Sequence, residues 1–125
     1  MVVLDTCAII ESCKKTCQLS KKTLTQMEKG SYLLTISFAE IACKVRLNKL
    51  EIGMTPRMLF NEFRQIQNMK LIDIGIDEWL DSMDLDWDDN RDPADRMITA
   101  FAMKHNLPIV TSDKKIKRFY KNVIG

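Results

Sequence analysis

The chain has a single histidine, His105, and none of its four cysteines stands in a C-x-x-C pair. Tetrahedral zinc sites draw on Cys and His at short spacings, so the usual zinc chemistry is excluded. Cys7, Cys13, Cys17 and Cys43 read as reduced thiols used as small apolar residues, which suits a cytoplasmic protein. No apolar run approaches the roughly 18–20 residues that a membrane helix needs. The opening Met-Val-Val-Leu meets Asp5 at once, too short for a signal peptide and without its basic start. Repeats, low-complexity tracts and linkers are also missing. A content of 46% hydrophobic and 29% charged residues excludes disorder. One cytoplasmic domain over residues 1–125, with no membrane association, is the expectation.

What the chain does have is unevenly spread charge. Residues 77–95 hold nine acids and one base, Arg91, whereas the remainder carries eighteen bases against eight acids. Five of those bases, Lys114, Lys115, Lys117, Arg118 and Lys121, crowd one short stretch. Such a shell beside an acid cluster suits an enzyme that attracts a polyanion, and it equally describes a solvated face.

Short apolar runs alternate with helical patterns. Val2-Val3-Leu4 reads as a strand buried on both faces, and Ala8 to Lys14 and Ser20 to Lys29 as helices, the second closed by Gly30. Tyr32 to Ile36 is strand-like, and Ser37 opens a helix with apolar positions 38, 41, 42 and 45. Thr55-Pro56 caps a helix running through Met69, with Leu59, Phe63 and Ile66 inward. Leu71 to Ile76 is a third strand, followed by a helix near Asp77 to Met83. Asp92-Pro93 opens another, with Ala94, Met97, Ile98, Phe101 and His105 on one stripe. Leu107 to Thr111, a helix from Asp113 to Tyr120, and Val123-Ile124 complete the pattern. Alternation of this kind predicts an α/β fold with a mainly parallel sheet covered on both sides.

In a parallel sheet the strand ends and the starts of the following helices share one edge. Asp5, Glu40, Asp95 and Asp113 all fall at such positions. Singly, each also suits a helix cap: Ser37-x-x-Glu40 has the form of a capping box, and Asp92 precedes a first-turn proline. Together, four carboxylates without matching buried bases repel unless protonated or bridged by cations. All-oxygen donors favour Mg²⁺ or Mn²⁺, which lower the pKa of water and neutralise a phosphodiester. Arg96 is the nearest base in sequence, but one step from Asp95 on a helix it points elsewhere. His105 reads as a structural residue near a helix C-terminus. Trp79 and Trp87 read as packing residues, with Trp87 among acids also suiting an interface.

With these residues in place, the chain resembles PIN-domain proteins, specifically the VapC-like toxins of type II toxin–antitoxin pairs. Four segments carry the likeness: Val-Leu-Asp5-Thr6; Ser37-x-x-Glu40-Ile41-Ala42-x-Lys44 with Leu47-x-Lys49-Leu50; Arg91-Asp92-Pro93-Ala94-Asp95-Arg96-Met97-Ile98; and Ile109-Val110-Thr111-Ser112-Asp113. The resemblance implies a three-layer α/β/α fold and a Mg²⁺- or Mn²⁺-dependent endoribonuclease attacking a phosphodiester in line with activated water. It implies Asp5, Glu40, Asp95 and Asp113 as the acidic quartet, with Thr6, Asp92 and Ser112 auxiliary. Lys114, Lys115, Lys117 and Arg118 are the expected RNA contacts. A cognate antitoxin covering the acidic edge and a homodimer are the expected partners. The pattern departs at Asn90, where relatives often carry His, at Asn48, where Gly is common, and at Ala39, where Trp is common.

Two other readings have definite signatures. A phosphoacceptor receiver domain needs an adjacent acid pair after the first strand and an Asp after the third, yet Asp5 stands alone and Asp73 lies inside the strand pattern. A PIN-like binding module without catalysis would not require the quartet, which is intact.

Overall fold

Twelve elements follow one another in the computed structural model, which describes all 125 residues. They are β1 (Val2–Leu4), α1 (Thr6–Ser12), α2 (Lys21–Lys29), β2 (Ser31–Leu34), α3 (Ile36–Arg46), α4 (Pro56–Gln65), β3 (Met69–Ile72), α5 (Ile76–Met83), α6 (Pro93–His105), β4 (Ile109–Val110), α7 (Lys114–Phe119) and β5 (Val123–Ile124). The strands form one sheet in the order β3-β2-β1-β4-β5, and every neighbouring pair is parallel. A receiver-type fold would run β2-β1-β3-β4-β5, so topology excludes that reading.

Each strand is too short to hold a sheet by its ladder alone, and packing on both faces supplies the difference. Successive strand residues point to opposite layers. Val2, Leu4, Leu33 and Val110 join Ala8, Ile9, Ile41, Leu59 and Phe63 on one side. Val3, Leu34 and Ile109 join Met97, Ile98, Ala102 and Ile116 on the other. The result is the three-layer α/β/α arrangement predicted from alternation. No helix is long and apolar enough to cross a membrane.

Local chemistry explains most element ends. Ser20 and Thr55 accept from the main-chain N–H groups of Thr23 and Met58, and Gly30 closes α2 at φ 154°. Asn106 ends α6 in the left-handed region that Asn tolerates. Several expectations need correction. β3 begins two residues before the predicted strand and stops at Ile72, because it pairs residue for residue with β2, which runs only from Ser31 to Leu34 before the chain enters α3. α4 stops at Gln65, and Ile66 is 44% exposed instead of inward. Trp87 is not on an interface: it is 3% exposed and stacks on Phe119 at 4.7 Å. His105 is exposed and rests on Phe101.

Candidate functional site

The sheet's chain order reverses between β1 and β4, and in open parallel sheets the crevice at such a switch point is where ligands bind. Asp5 follows β1 and Asp113 follows β4, so the two flank that crevice. α3, entered directly from β2, brings Glu40, and the first turn of α6 brings Asp95.

Asp5 is 1% exposed and serves as the N-cap of α1, accepting from the Ala8 N–H at 2.7 Å. Its other oxygen accepts from the Thr111 hydroxyl. Burial pushes the Asp5 carboxyl up to about 6; the Thr111 and Ala8 hydrogen bonds oppose this, and the charges of Asp113 and Glu40 add to it. Asp95 is also pushed up to about 6, first by burial, against a hydrogen bond from Asn90, with Asp92, Asp113 and Glu40 raising it further. Each of the two acids therefore feels both Glu40 and Asp113.

Asp113 caps α7, accepting from Lys115 and Ile116 N–H groups at 2.7 and 3.3 Å. Asp92 caps α6, accepting from Ala94 and Asp95 N–H groups. Glu40 behaves otherwise than its capping-box spacing predicts. α3 starts at Ile36, before Ser37, so Ser37 lies too deep in the helix to cap it. Ser37 is buried and accepts from the Thr6 hydroxyl at 3.0 Å instead. Glu40 Oε1 meets Lys44 Nζ at 3.3 Å, while its Oε2 is buried with no partner at all. Burial works against the Lys44 charge, but Glu40 outweighs it and holds the lysine above its ordinary value.

No three of the His, Cys, Asp and Glu side chains stand close enough to form a closed metal cage. The donor set still fits a hard cation. Mg²⁺ keeps several waters and takes one or two protein carboxylates directly, so an open set of acids suits it. An unpartnered buried carboxylate oxygen on Glu40 and two acids reluctant to ionise are groups that a bound cation would satisfy.

Of the auxiliary residues, Thr6 is buried and bonded to Ser37, whereas Ser112 is exposed. The hydroxyl that joins the acids is that of Thr111, which donates to Asp5 and accepts from the Asp113 N–H at 2.9 Å. Thr111 lies in the fourth segment of the resemblance, two residues before Asp113, but nothing in the sequence gives it a role of its own. Lys44 has a plainer one, the i, i+4 spacing from Glu40, and it is missing from the expected site residues. Lys114 and Lys115 are exposed beside Asp113. Lys117 donates to the Gly125 carbonyl at 3.0 Å, and Arg118 pairs with Asp89 at 3.4 Å.

Comparison with known proteins bears on the fold and the family. Solved structures that share the fold include the following three. A toxin–antitoxin complex from Klebsiella pneumoniae matches with a TM-score of 0.65 and 16% identity, covering 100% of this chain and 97% of that one. FitAcB from Neisseria gonorrhoeae matches at 0.60 and 20% identity, covering 100% and 97%. FitAB bound to an IR36 DNA fragment matches at 0.61 and 18%, covering 99% and 94%. No curated protein matches. The PIN domain family, whose members are generally nucleases, matches residues 2–122, and with nearly the whole chain inside that match the protein belongs to the PIN-domain family.

Proposed function

We propose that this protein is a Mg²⁺- or Mn²⁺-dependent endoribonuclease, the VapC-type toxin of a toxin–antitoxin pair, acting as one domain in the cytoplasm. The observation that carries the reading is the shared field of four acids. Asp5 and Asp95 come from distant parts of the chain, yet burial beside Glu40 and Asp113 pushes both up to about 6. Structural ion pairs would have supplied bases here; only Lys44 is present, and it engages a single Glu40 oxygen.

In this reading Asp5, Glu40, Asp95 and Asp113 would hold the cation together, one or two of them directly and the others through its waters. When bound, it supplies Lewis acidity, neutralising a phosphodiester and making water a better nucleophile. The chain's own residues orient the acids. The Thr111 hydroxyl fixes Asp5 against Asp113, and the Asp92 cap fixes the first turn of α6. Thr6 and Ser112 lie next to these acids in sequence as auxiliary hydroxyls. Lys114 and Lys115, with Lys117 and Arg118 behind them, draw RNA phosphates to the edge.

The likeness to a toxin–antitoxin complex supports the toxin assignment, and an antitoxin covering the acidic edge is the proposed partner. A homodimer is the second proposed assembly: α5 leaves Ile76, Trp79, Leu80 and Met83 exposed at helical spacing. The deciding experiment incubates purified protein with total RNA, with and without Mn²⁺, and maps new ends. Discrete Mn²⁺-dependent ends support the reading; intact RNA at every metal concentration rejects it and leaves a binding module.

A further inference from the structure

Arg96 is 7% exposed, and its partners are all main-chain carbonyls. Nε donates to Ser82 at 3.1 Å, Nη1 to Trp87 and to Asn90 at 2.8 Å, and Nη2 to Met83 at 3.2 Å and Leu85 at 2.7 Å. A guanidinium has five N–H donors, and all are used. Ser82 and Met83 belong to the last turn of α5, where free carbonyls carry the negative end of the helix dipole. The irregular segment that follows is thus wrapped around one side chain.

The last residue gripped is Asn90, itself 3% exposed. Its Nδ2 donates to Asp95 Oδ2 at 3.0 Å, and its Oδ1 accepts from the Asp92 N–H at 3.0 Å. Asp95 and Arg96 are neighbours on α6, so their side chains diverge, yet Asn90 joins them again. Arg96 holds its carbonyl while its amide holds the Asp95 carboxylate.

We propose that Arg96 and Asn90 are positioning residues for Asp95. Arg96 ties the end of α5 to the segment that follows it, through Asn90, and that segment presents an amide that occupies Asp95 Oδ2 and leaves Oδ1 for the cation. An amide does this without positive charge, so it orients the carboxylate without competing with the metal. The proposal rests on the reading of Asp95 as a metal ligand.

The test is Mn²⁺ titration of the full chain, followed by electron paramagnetic resonance of free Mn²⁺, alongside cleavage kinetics. Asn90→Ala should bind Mn²⁺ about 10–100-fold more weakly. Its KM for RNA should hold, and its kcat should fall at limiting Mn²⁺ and return as Mn²⁺ is raised. Arg96→Lys keeps the charge but not the five-donor fork, and should give a similar loss that does not add to that of Asn90→Ala. If Arg96→Lys does not fold, Asn90→Ala decides alone. Parental Mn²⁺ affinity in Asn90→Ala, while Asp95→Asn has lost it, overturns the positioning role, whatever happens to melting temperature. A parent chain that binds no Mn²⁺ sinks the ligand reading of Asp95, and the positioning role with it.

Discussion

Asp84, Asp86, Asp88 and Asp89 lie between α5 and α6, mostly open to water, while Asp5 and Asp95, chemically identical groups, lie buried or half-buried at the sheet edge. In water, neighbouring carboxylates are screened and hydrated, and their repulsion costs little. At the edge, burial removes the hydration, and Glu40 and Asp113 add repulsion that nothing fully cancels. Acid count in the sequence therefore points first to a stretch that is mostly solvated, of which only Asp95 belongs to the quartet at the edge. The density is greatest where the acids are solvated, and the proposed site lies where they are few, buried or half-buried, and drawn from four separate segments.

The comparison is broken most directly by charge removal. Asp5→Asn or Asp95→Asn should lower metal-dependent RNA cleavage by on the order of a thousandfold in single-turnover assays. Asp84→Asn and Asp88→Asn should change it less than about twofold, because both side chains are solvated. Parental rates in both edge variants would reject the edge as the site.

Stability against pH sharpens the contrast. The folded Asp5 carboxyl titrates at about 6 against 3.8 for the free group, so the folded chain holds that proton more tightly. Its contribution is fully present below about pH 4 and is lost as pH rises to about 6, an effect on the order of 2–3 kcal/mol for metal-free protein. Asp95, less buried, adds a smaller term of the same sign. Denaturant unfolding at about pH 4.5 and 7 should reveal the loss, Mn²⁺ should reverse it at neutral pH, and Asp5→Asn should flatten it.

Glu40→Gln separates cap from ligand. The buried, unpartnered Oε2 predicts metal affinity and activity lower by about 10–100-fold, with melting temperature nearly unchanged. Full activity would return Glu40 to a structural role. The smallest effect belongs to the exposed bases. Lys114→Ala with Lys115→Ala should make the salt dependence of RNA binding shallower by about one unit per phosphate released, with Lys114 contributing more. The cleavage position should not move, and an unchanged slope would leave α7 a solvated helix.

Local signals carry much of the fold. Val2-Val3-Leu4, the Ser20 and Thr55 caps, Asp92-Pro93 and the alternation of strand and helix are enough to place most elements near their positions. Where these signals mislead, a partner distant in sequence decides the matter. Ser37 does not cap its helix, and Thr6 lies beside it instead. Trp87, surrounded by acids in sequence, is buried because Phe119 stacks on it. At the site, the acids are legible from their places at strand ends and helix starts, whereas Thr111 and Asn90 stand out in the sequence only as positions in the family pattern, without a role. Their importance comes from hydrogen bonds that exist only once separate segments meet.

The Thr111 bond to Asp5 spans 106 residues, and β1 pairs with β4 at the centre of the sheet. During synthesis the first half of the acidic edge therefore emerges long before the second. Pairing across so large a sequence separation is also slow to form. A nascent chain lacking residues 109–113 has neither the central β4 strand nor the hydroxyl that fixes Asp5. The acidic edge is therefore complete only once residues 109–113 have been made and β4 has paired with β1.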